Sequence, residues 1–363
     1  MQPPFISKSY ATVLDIVRFA CALVVMVCHT AGGGLFYNGR WPFAERPSHY
    51  SVIIFFVLSG LVISASITER QASLKAYAIS RLTRIWPVAA AGVAFSIWLH
   101  FGFLARTGGV PDGYGAELGK SALLALGFLS QSGFGGDLGW NYAYWSLCYE
   151  VWYYALFGAF FFLRGPLRLA ILAVMALVAG WKILLLMPVW LAGVWLNRAA
   201  WPRTITIERT PVLLLGSAIA MLLLTRWDMP MLFTLRDIVP VSLGLSEWFV
   251  SDYVAAIIIV VTLAALRPLA EKNAETLERV ARPAAYAAGI SFTIYLFHPP
   301  VAMLLHLAGL PAGDTVIHLV VPIGLILALC ALIAELVERR TPALRRAVTQ
   351  ILASRKSGLA TSG

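Results

Sequence analysis

The stretch VLDIVRFACALVVMVCHTAGGG, residues 13–34, contains the feature that decides the fold. It is an apolar run long enough to cross the hydrocarbon core of a bilayer, about 30 Å thick, as one helix. Asp15, Arg18 and His29 nevertheless lie within it. An ionisable side chain at that depth costs about 3 kcal/mol on insertion scales, so it faces the interior of a bundle rather than lipid. The stretch therefore predicts a membrane helix packed among other helices.

Composition places the whole chain in the membrane class. Its 363 residues are 60% hydrophobic and only 13% charged, whereas a soluble domain carries about 25% charged residues. In a membrane protein, a formal charge of +10 is explained by basic residues in the cytoplasmic loops. No nucleic-acid partner is therefore expected. Apolar segments fall at 12–31, 49–67, 76–104, 119–131, 143–163, 167–180, 184–198, 209–226, 250–267, 284–308 and 314–338.

The distribution of basic residues predicts which of these segments cross the membrane. If segment 119–131 does not span, the basic loops that follow residues 163 and 198 and the C-terminal tail all lie on the cytoplasmic side, as the positive-inside rule requires. The prediction is an all-α, polytopic bundle of about ten transmembrane helices with a re-entrant or interfacial segment near 119–142. Both termini are expected to be cytoplasmic, with one membrane domain over 1–340 and a short basic tail over 341–363.

Helical geometry relates the ionisable residues of the first segment. Arg18 and His29 are eleven residues apart, which at 100° per residue is three turns plus about 20°, so both project from one face, about 16 Å apart along the axis. Asp15 lies one turn before Arg18 and is expected to pair with it. A structural salt bridge with a hydrogen-bonded core histidine explains this pattern as well as a functional site does.

Two further segments carry polar residues near the predicted cytoplasmic side. Ser59 and Gly60 interrupt the apolar run IIFFVLSGLVIS, where small residues also serve close helix packing. Arg81 and Arg84, in SRLTRIWP, stand one turn apart at the mouth of the third segment. Two guanidinium groups there suit a phosphate-bearing ligand, although positive-inside anchoring is the alternative.

The remaining polar residues lie on two later helices. Ser146 and Glu150 are at i and i+4 in YWSLCYEVWYYALF, and a carboxylate among so many aromatic residues is expected to face a cavity and to orient an imidazole. In ISFTIYLFHPPVAMLLH, Tyr295 and His298 share one helix face, and a core role for the histidine stays open. The sequence indicates no metal site.

Taken together, these motifs resemble the acyltransferase-3 family of membrane-bound O-acyltransferases. The resemblance covers nearly the whole chain and keeps the order of the family's elements, although Ser80 replaces the basic residue that often precedes the first arginine of the third one. In chain order the elements are LDIVRFACALVVMVCH, FFVLSG, SRLTRIWP, WSLCYE, ISFTIYLFH and ELVERRTP.

The resemblance implies acyl transfer, commonly of acetyl, from acyl-CoA to a hydroxyl of a cell-surface polysaccharide or glycolipid, in a bacterial inner membrane. The partners are then acyl-CoA, the glycan acceptor and membrane lipid; no permanently bound cofactor is expected, and a homo-oligomer is left open. His29 would be the general base, with Glu150 orienting it. Arg18, Arg81 and Arg84 would bind acyl-CoA. The predicted substrate path comprises Ser59, Ser146, Tyr295 and His298, and Asp15 would support Arg18.

Two other functional classes compete with this interpretation. A transporter or flippase could use Arg18, His29 and Glu150 as a relay, but no inverted repeat is visible in the sequence. A catalytically inactive scaffold is the third reading. Within the enzyme class, Ser146 could be a covalent nucleophile, although the sequence fixes no histidine beside it.

Overall fold

The chain folds as a bundle of helices. A computed structural model describes residues 4–41, 46–70, 73–110, 117–238 and 243–360, with side chains for all of these except 68–70, 227–238 and 353–360. Apart from an isolated β-bridge between Tyr37 and Gly313, the described residues form no β-structure. The predicted all-α class is confirmed. Residues 361–363 of the predicted tail lie outside the described residues.

The helices correspond closely to the apolar segments of the sequence, with a further helix in the basic tail. In the described part of the chain they are α1 Lys8–Gly32, α2 Arg46–Arg70, α3 Leu74–Thr107, α4 Leu118–Leu126, α5 Tyr144–Phe162, α6 Gly165–Ala179, α7 Trp181–Arg198, α8 Thr210–Ile238, α9 Phe249–Lys272, α10 Ala274–Ala288, α11 Ser291–Leu307, α12 Val316–Leu336 and α13 Thr341–Ala360.

Serine residues fix the start of two of the long helices. The Oγ of Ser7 accepts a hydrogen bond from the backbone N–H of Tyr10 at the start of α1, 3.3 Å away. The Oγ of Ser73 accepts one from the N–H of Ala76 at the start of α3, 3.2 Å away. A serine at this position satisfies a backbone donor that has no partner within the helix. Each helix therefore begins where the sequence supplies a cap.

Helix length bears on the predicted crossings. By length and composition, five described helices can cross a membrane, or seven if the bent pairs α6–α7 and α10–α11 each form one span. The count of ten stays a prediction. Helix α4, with nine residues, is about 14 Å long and too short to span. The chain bends by 115° between α6 and α7, at Gly180, whose φ of +82° is readily adopted only by glycine.

Helices α2 and α7 approach each other closely at two glycines. A Cβ atom on Gly60 of α2 would overlap the carbonyl oxygen of Trp190 in α7, and one on Gly193 of α7 would overlap that of Val57 in α2. Small residues at a helix crossing allow backbones to approach in this way. Gly60 therefore serves close helix packing, which was one of the two interpretations of this residue from the sequence.

Two clusters of buried apolar side chains surround the polar residues. One is centred on α2, α7 and α9, and the other on α3, α11 and α12. Helices α1 and α5 contribute to both, for example through Leu14 and Ala22 of α1. Residues of both clusters line a cavity that also contains Arg18 and Glu150, and this boundary between the clusters is called the polar seam.

We predict that Gly60→Ala lowers the thermal unfolding temperature of the detergent-solubilised protein. The added methyl group would force α2 and α7 apart, and overpacking of this kind costs about 1–3 kcal/mol. Gly216→Ala is the matched control, because a Cβ atom on this α8 glycine meets open space. Equal unfolding temperatures for the two variants, measured by intrinsic fluorescence, would contradict the proposed packing.

Candidate functional site

Three adjoining cavities lie among the described residues, from α13 to the last turn of α1. The basic cavity, about 620 Å³, lies between α3 and α13 and shares Arg81 and Arg84 with the central cavity, about 90 Å³. The central cavity shares Val52 and Tyr295 with the histidine cavity, about 520 Å³. Since neighbouring cavities share lining residues, the three lie next to one another along the polar seam.

The central cavity collects most of the polar residues that the sequence singles out. Among its described lining residues, Glu150 is the one carboxylate beside three guanidinium groups. The full set of predicted site residues that line it is Arg18, Ser59, Arg81, Arg84, Ser146, Glu150 and Tyr295.

A chain of hydrogen bonds holds Glu150 in the central cavity. The indole Nε1–H of Trp190 donates to the Oγ of Ser59 over 3.1 Å, so the hydroxyl of Ser59 is available to donate to the Oη of Tyr154, 2.8 Å away. The hydroxyl of Tyr154 donates in turn to Oε1 of Glu150 over 2.5 Å. The carboxylate is therefore oriented by α2, α5 and α7 together.

Two imidazoles meet where α1 faces α11. Nδ1 of His29 lies 2.9 Å from Nε2 of His298, and the two rings are stacked with centroids 5.1 Å apart. His298 is almost fully buried, while His29 is half-buried and lines the histidine cavity. The more buried of the two histidines therefore contacts the one that faces an open space.

The sequence around His298 fixes the tautomers of this pair. Pro299 has no backbone N–H, so it leaves the carbonyl of Tyr295, four residues earlier, without its helical donor. Nδ1 of His298 lies 2.7 Å from that carbonyl oxygen and must donate to it. In a neutral ring Nε2 is then an acceptor, and His29 has to donate from Nδ1. The lone pair of His29 therefore lies on Nε2.

The histidine cavity also contains polar groups that the sequence did not single out. Nε2 of His49 lies 2.6 Å from Oδ1 of Asp252, which is fully buried. Asn141 is buried as well, and neither atom of its amide has a hydrogen-bond partner among the described residues. Tyr142 and Trp145 line the same space. Polar groups beside aromatic faces are suited to binding a polyhydroxylated molecule.

Tyr295 stands between the central and histidine cavities and lines both. Its hydroxyl lies 2.7 Å from the Oγ of Ser146. The two predicted path residues thus form one contact between α5 and α11, at the boundary between the two cavities.

Comparison with known proteins agrees with this arrangement. A family model described as an acyltransferase domain matches residues 12–335. The chain belongs to the acyltransferase-3 family. The match includes the parts of α1, α2, α3, α5 and α11 that line the central and histidine cavities. It makes the chain a membrane acyltransferase rather than the alternative transporter. No curated protein and no solved structure matches the chain.

Two predicted contacts are not formed in this acyltransferase. Glu150 does not reach His29: it bonds to Tyr154 in the central cavity, and the partner of His29 is His298. Asp15 and Arg18 form no ion pair within 4 Å in the described part of the chain, although the charges of Arg18 and Arg84 act on the Asp15 carboxylate. Residue spacing predicts which face of its own helix a side chain lies on. It does not predict which side chain of another helix will contact it.

The acyltransferase holds α11 in place with a residue that sequence analysis missed. Oε2 of Glu338 accepts hydrogen bonds from the backbone N–H of Thr293, 3.0 Å away, and from its hydroxyl, 2.6 Å away. Thr293 lies in the first turn of α11, where a carboxylate satisfies free donors and complements the helix dipole. The position of Glu338 within the family-like stretch ELVERRTP was the feature of the sequence that could have indicated this role.

We predict that Glu338→Ala lowers the stability of the acyltransferase by about 0.5–2 kcal/mol, the usual cost of losing a helix cap. Glu335→Ala is the matched control on α12, because both its ion pair with Arg339 and its hydrogen bond from Tyr286 are exposed, and exposed contacts of this kind contribute little. Thermal unfolding of both variants tests the role of the cap. Unfolding at the same temperature would contradict it.

Proposed function

We propose that the protein is an O-acyltransferase that moves an acyl group, acetyl as the commonest case, from acyl-CoA to a hydroxyl of a cell-surface glycan or glycolipid. The observation that carries the proposal is the row of adjoining cavities, with guanidinium groups at one end and, at the other, His29, which is paired with His298. Acyl-CoA has a matching arrangement, since its anionic phosphates and its neutral thioester are at opposite ends of a long arm.

The distribution of charge supports a direction for the donor. Arg81 and Arg84 line both the basic and central cavities and would bind phosphates through planar, bidentate contacts. Arg18 and His29 are about 16 Å apart along α1, so a donor held by the arginines would lay its pantetheine arm past Arg18 and bring its thioester to His29. Tyr295 and Ser146 would line this passage.

The tautomer of His29 supports its role as the general base. Its Nε2 lone pair would take the proton of the acceptor hydroxyl as the oxygen attacks the thioester carbonyl. The tetrahedral intermediate then collapses, the carbon–sulfur bond breaks, and the imidazolium returns the proton to the departing thiolate. His298 would stabilise the imidazolium by accepting the hydrogen bond from Nδ1. Glu150 would balance the guanidinium charges rather than orient His29.

The acceptor is proposed to bind in the histidine cavity. Asn141 has an unpaired amide there, and His49, fixed by buried Asp252, lines the same wall. Tyr142 adds an exposed aromatic face. We place this cavity toward the outer face of a bacterial inner membrane, and the basic cavity toward the cytoplasm, where acyl-CoA is found. This arrangement brings donor and acceptor to His29 from opposite sides.

We predict that purified protein releases free thiol from acetyl-CoA and that His29→Ala lowers the rate by about 10²–10⁴-fold, the usual contribution of a general base. His298→Ala should lower it about tenfold, since one hydrogen bond fixing the tautomer is lost. His306→Ala is the control, because this histidine of α11 is exposed. The rate is measured with a thiol reagent, and wild-type turnover by His29→Ala would rule out its role as base.

We predict that acyl transfer crosses the membrane. In oriented vesicles, labelled acetyl-CoA supplied only on the side of the basic cavity should acylate an acceptor glycan enclosed on the opposite side. The signal is label in the enclosed glycan, and vesicles with the His29→Ala protein are the control. If label appears only in glycan on the same side as acetyl-CoA, the proposed direction is wrong.

A further inference from the structure

The basic cavity is formed in part by α13, which lies beyond the matched family domain. Helix α13 packs against α3, and the space between them is lined by two arginines from each helix. The four are Arg81, Arg84, Arg345 and Arg346. In the sequence the last two belong to a basic tail, whereas in the structure they lie at the mouth of the proposed donor path.

The basic cavity contains four positive charges and no carboxylate in its described lining. The other lining residues carry mainly hydroxyl and amide groups. Nε of Arg81 is buried without a hydrogen-bond partner, and the charge of Arg345 acts unfavourably on Arg81. Converging guanidinium groups repel each other, so the arrangement gains most from an anion that binds between them.

Anchoring at the membrane surface does not account for this convergence. The positive-inside rule asks only that basic residues lie on the cytoplasmic side, and arginines spread over exposed helix faces satisfy it equally well. Arg279 and Arg282 of α10 are exposed, as Arg345 and Arg346 are, but they do not line the basic cavity, and they serve as that comparison. Four arginines directed into one space of about 620 Å³ indicate a compact, multiply charged ligand.

We propose that Arg345 and Arg346 of α13 complete the binding site for the phosphates of the donor CoA. This inference rests on the proposed function, which makes acyl-CoA the donor. Arg81 and Arg84 adjoin the central cavity, so they bind the diphosphate next to the pantetheine arm. Arg345 and Arg346 belong to the basic cavity alone and bind the 3′-phosphate. The ligand carries about −4 in all, since a phosphate monoester contributes about −2, which matches four guanidinium groups.

The assignment predicts discrimination between two nucleotides. The full-length protein, reconstituted in nanodiscs of phosphatidylcholine, should bind CoA more tightly than 3′-dephospho-CoA in isothermal titration calorimetry. Arg345→Gln/Arg346→Gln should weaken CoA binding by about 10- to 100-fold, the loss expected for charge-assisted hydrogen bonds. The same variant should bind 3′-dephospho-CoA with wild-type affinity, which also shows that the rest of the site is folded.

Two control variants test whether the effect on CoA binding comes from Arg345 and Arg346 themselves or from a change in net charge. Arg279→Gln/Arg282→Gln removes the same charge from α10 and should leave both affinities unchanged. Arg345→Lys/Arg346→Lys keeps the charge but loses the planar donor pairs and should bind CoA with intermediate affinity.

Anionic lipid headgroups also carry phosphates that could bind to these arginines. A second arm of the experiment distinguishes lipid binding from CoA binding. Adding phosphatidylglycerol to the nanodiscs should leave the difference between wild type and Arg345→Gln/Arg346→Gln in place. If the variant binds CoA as wild type does in phosphatidylcholine, or if it loses only retention on phosphatidylglycerol vesicles, the proposal is overturned. Absence of CoA binding by the wild-type protein would instead refute the proposed donor.

Discussion

The hydrogen bond between Nδ1 of His29 and Nε2 of His298 is the interaction on which the site depends. It exists because Pro299 cannot donate to the carbonyl of Tyr295, which leaves that oxygen for Nδ1 of His298. One missing backbone donor thereby sets the protonation of two imidazoles on two helices. In a membrane interior, where each polar group needs a partner within the protein, such a relay also fixes α1 against α11.

The polar residues stay inside the bundle because two separate apolar clusters form on either side of them. Close packing of α2 on α7 builds one cluster, and α3, α11 and α12 build the other. The seam between them keeps guanidinium groups at one end and imidazoles at the other. This distribution of charge is complementary to the proposed donor, which has an anionic end and a neutral reactive end.

Helical periodicity was sufficient to assign side chains to faces. Arg18, Ser146 and Tyr295 were placed on polar faces of their own helices, and all of them line the central cavity. It was not sufficient to choose partners: Glu150 bonds to Tyr154 instead of orienting His29. Nor could it find Asp252 and His49, which are distant in the chain but in contact in the fold.

The sequence by itself determined the all-α membrane class, the approximate helix boundaries and the polar face of each helix, because hydrophobicity and a period of 3.6 residues act locally along the chain. The family elements, in their order, further predicted an acyltransferase. Only the tertiary structure decided that His298 contacts His29 and that α13 faces Arg81 and Arg84. These contacts depend on how helices distant in sequence cross and rotate against each other, which no local pattern encodes.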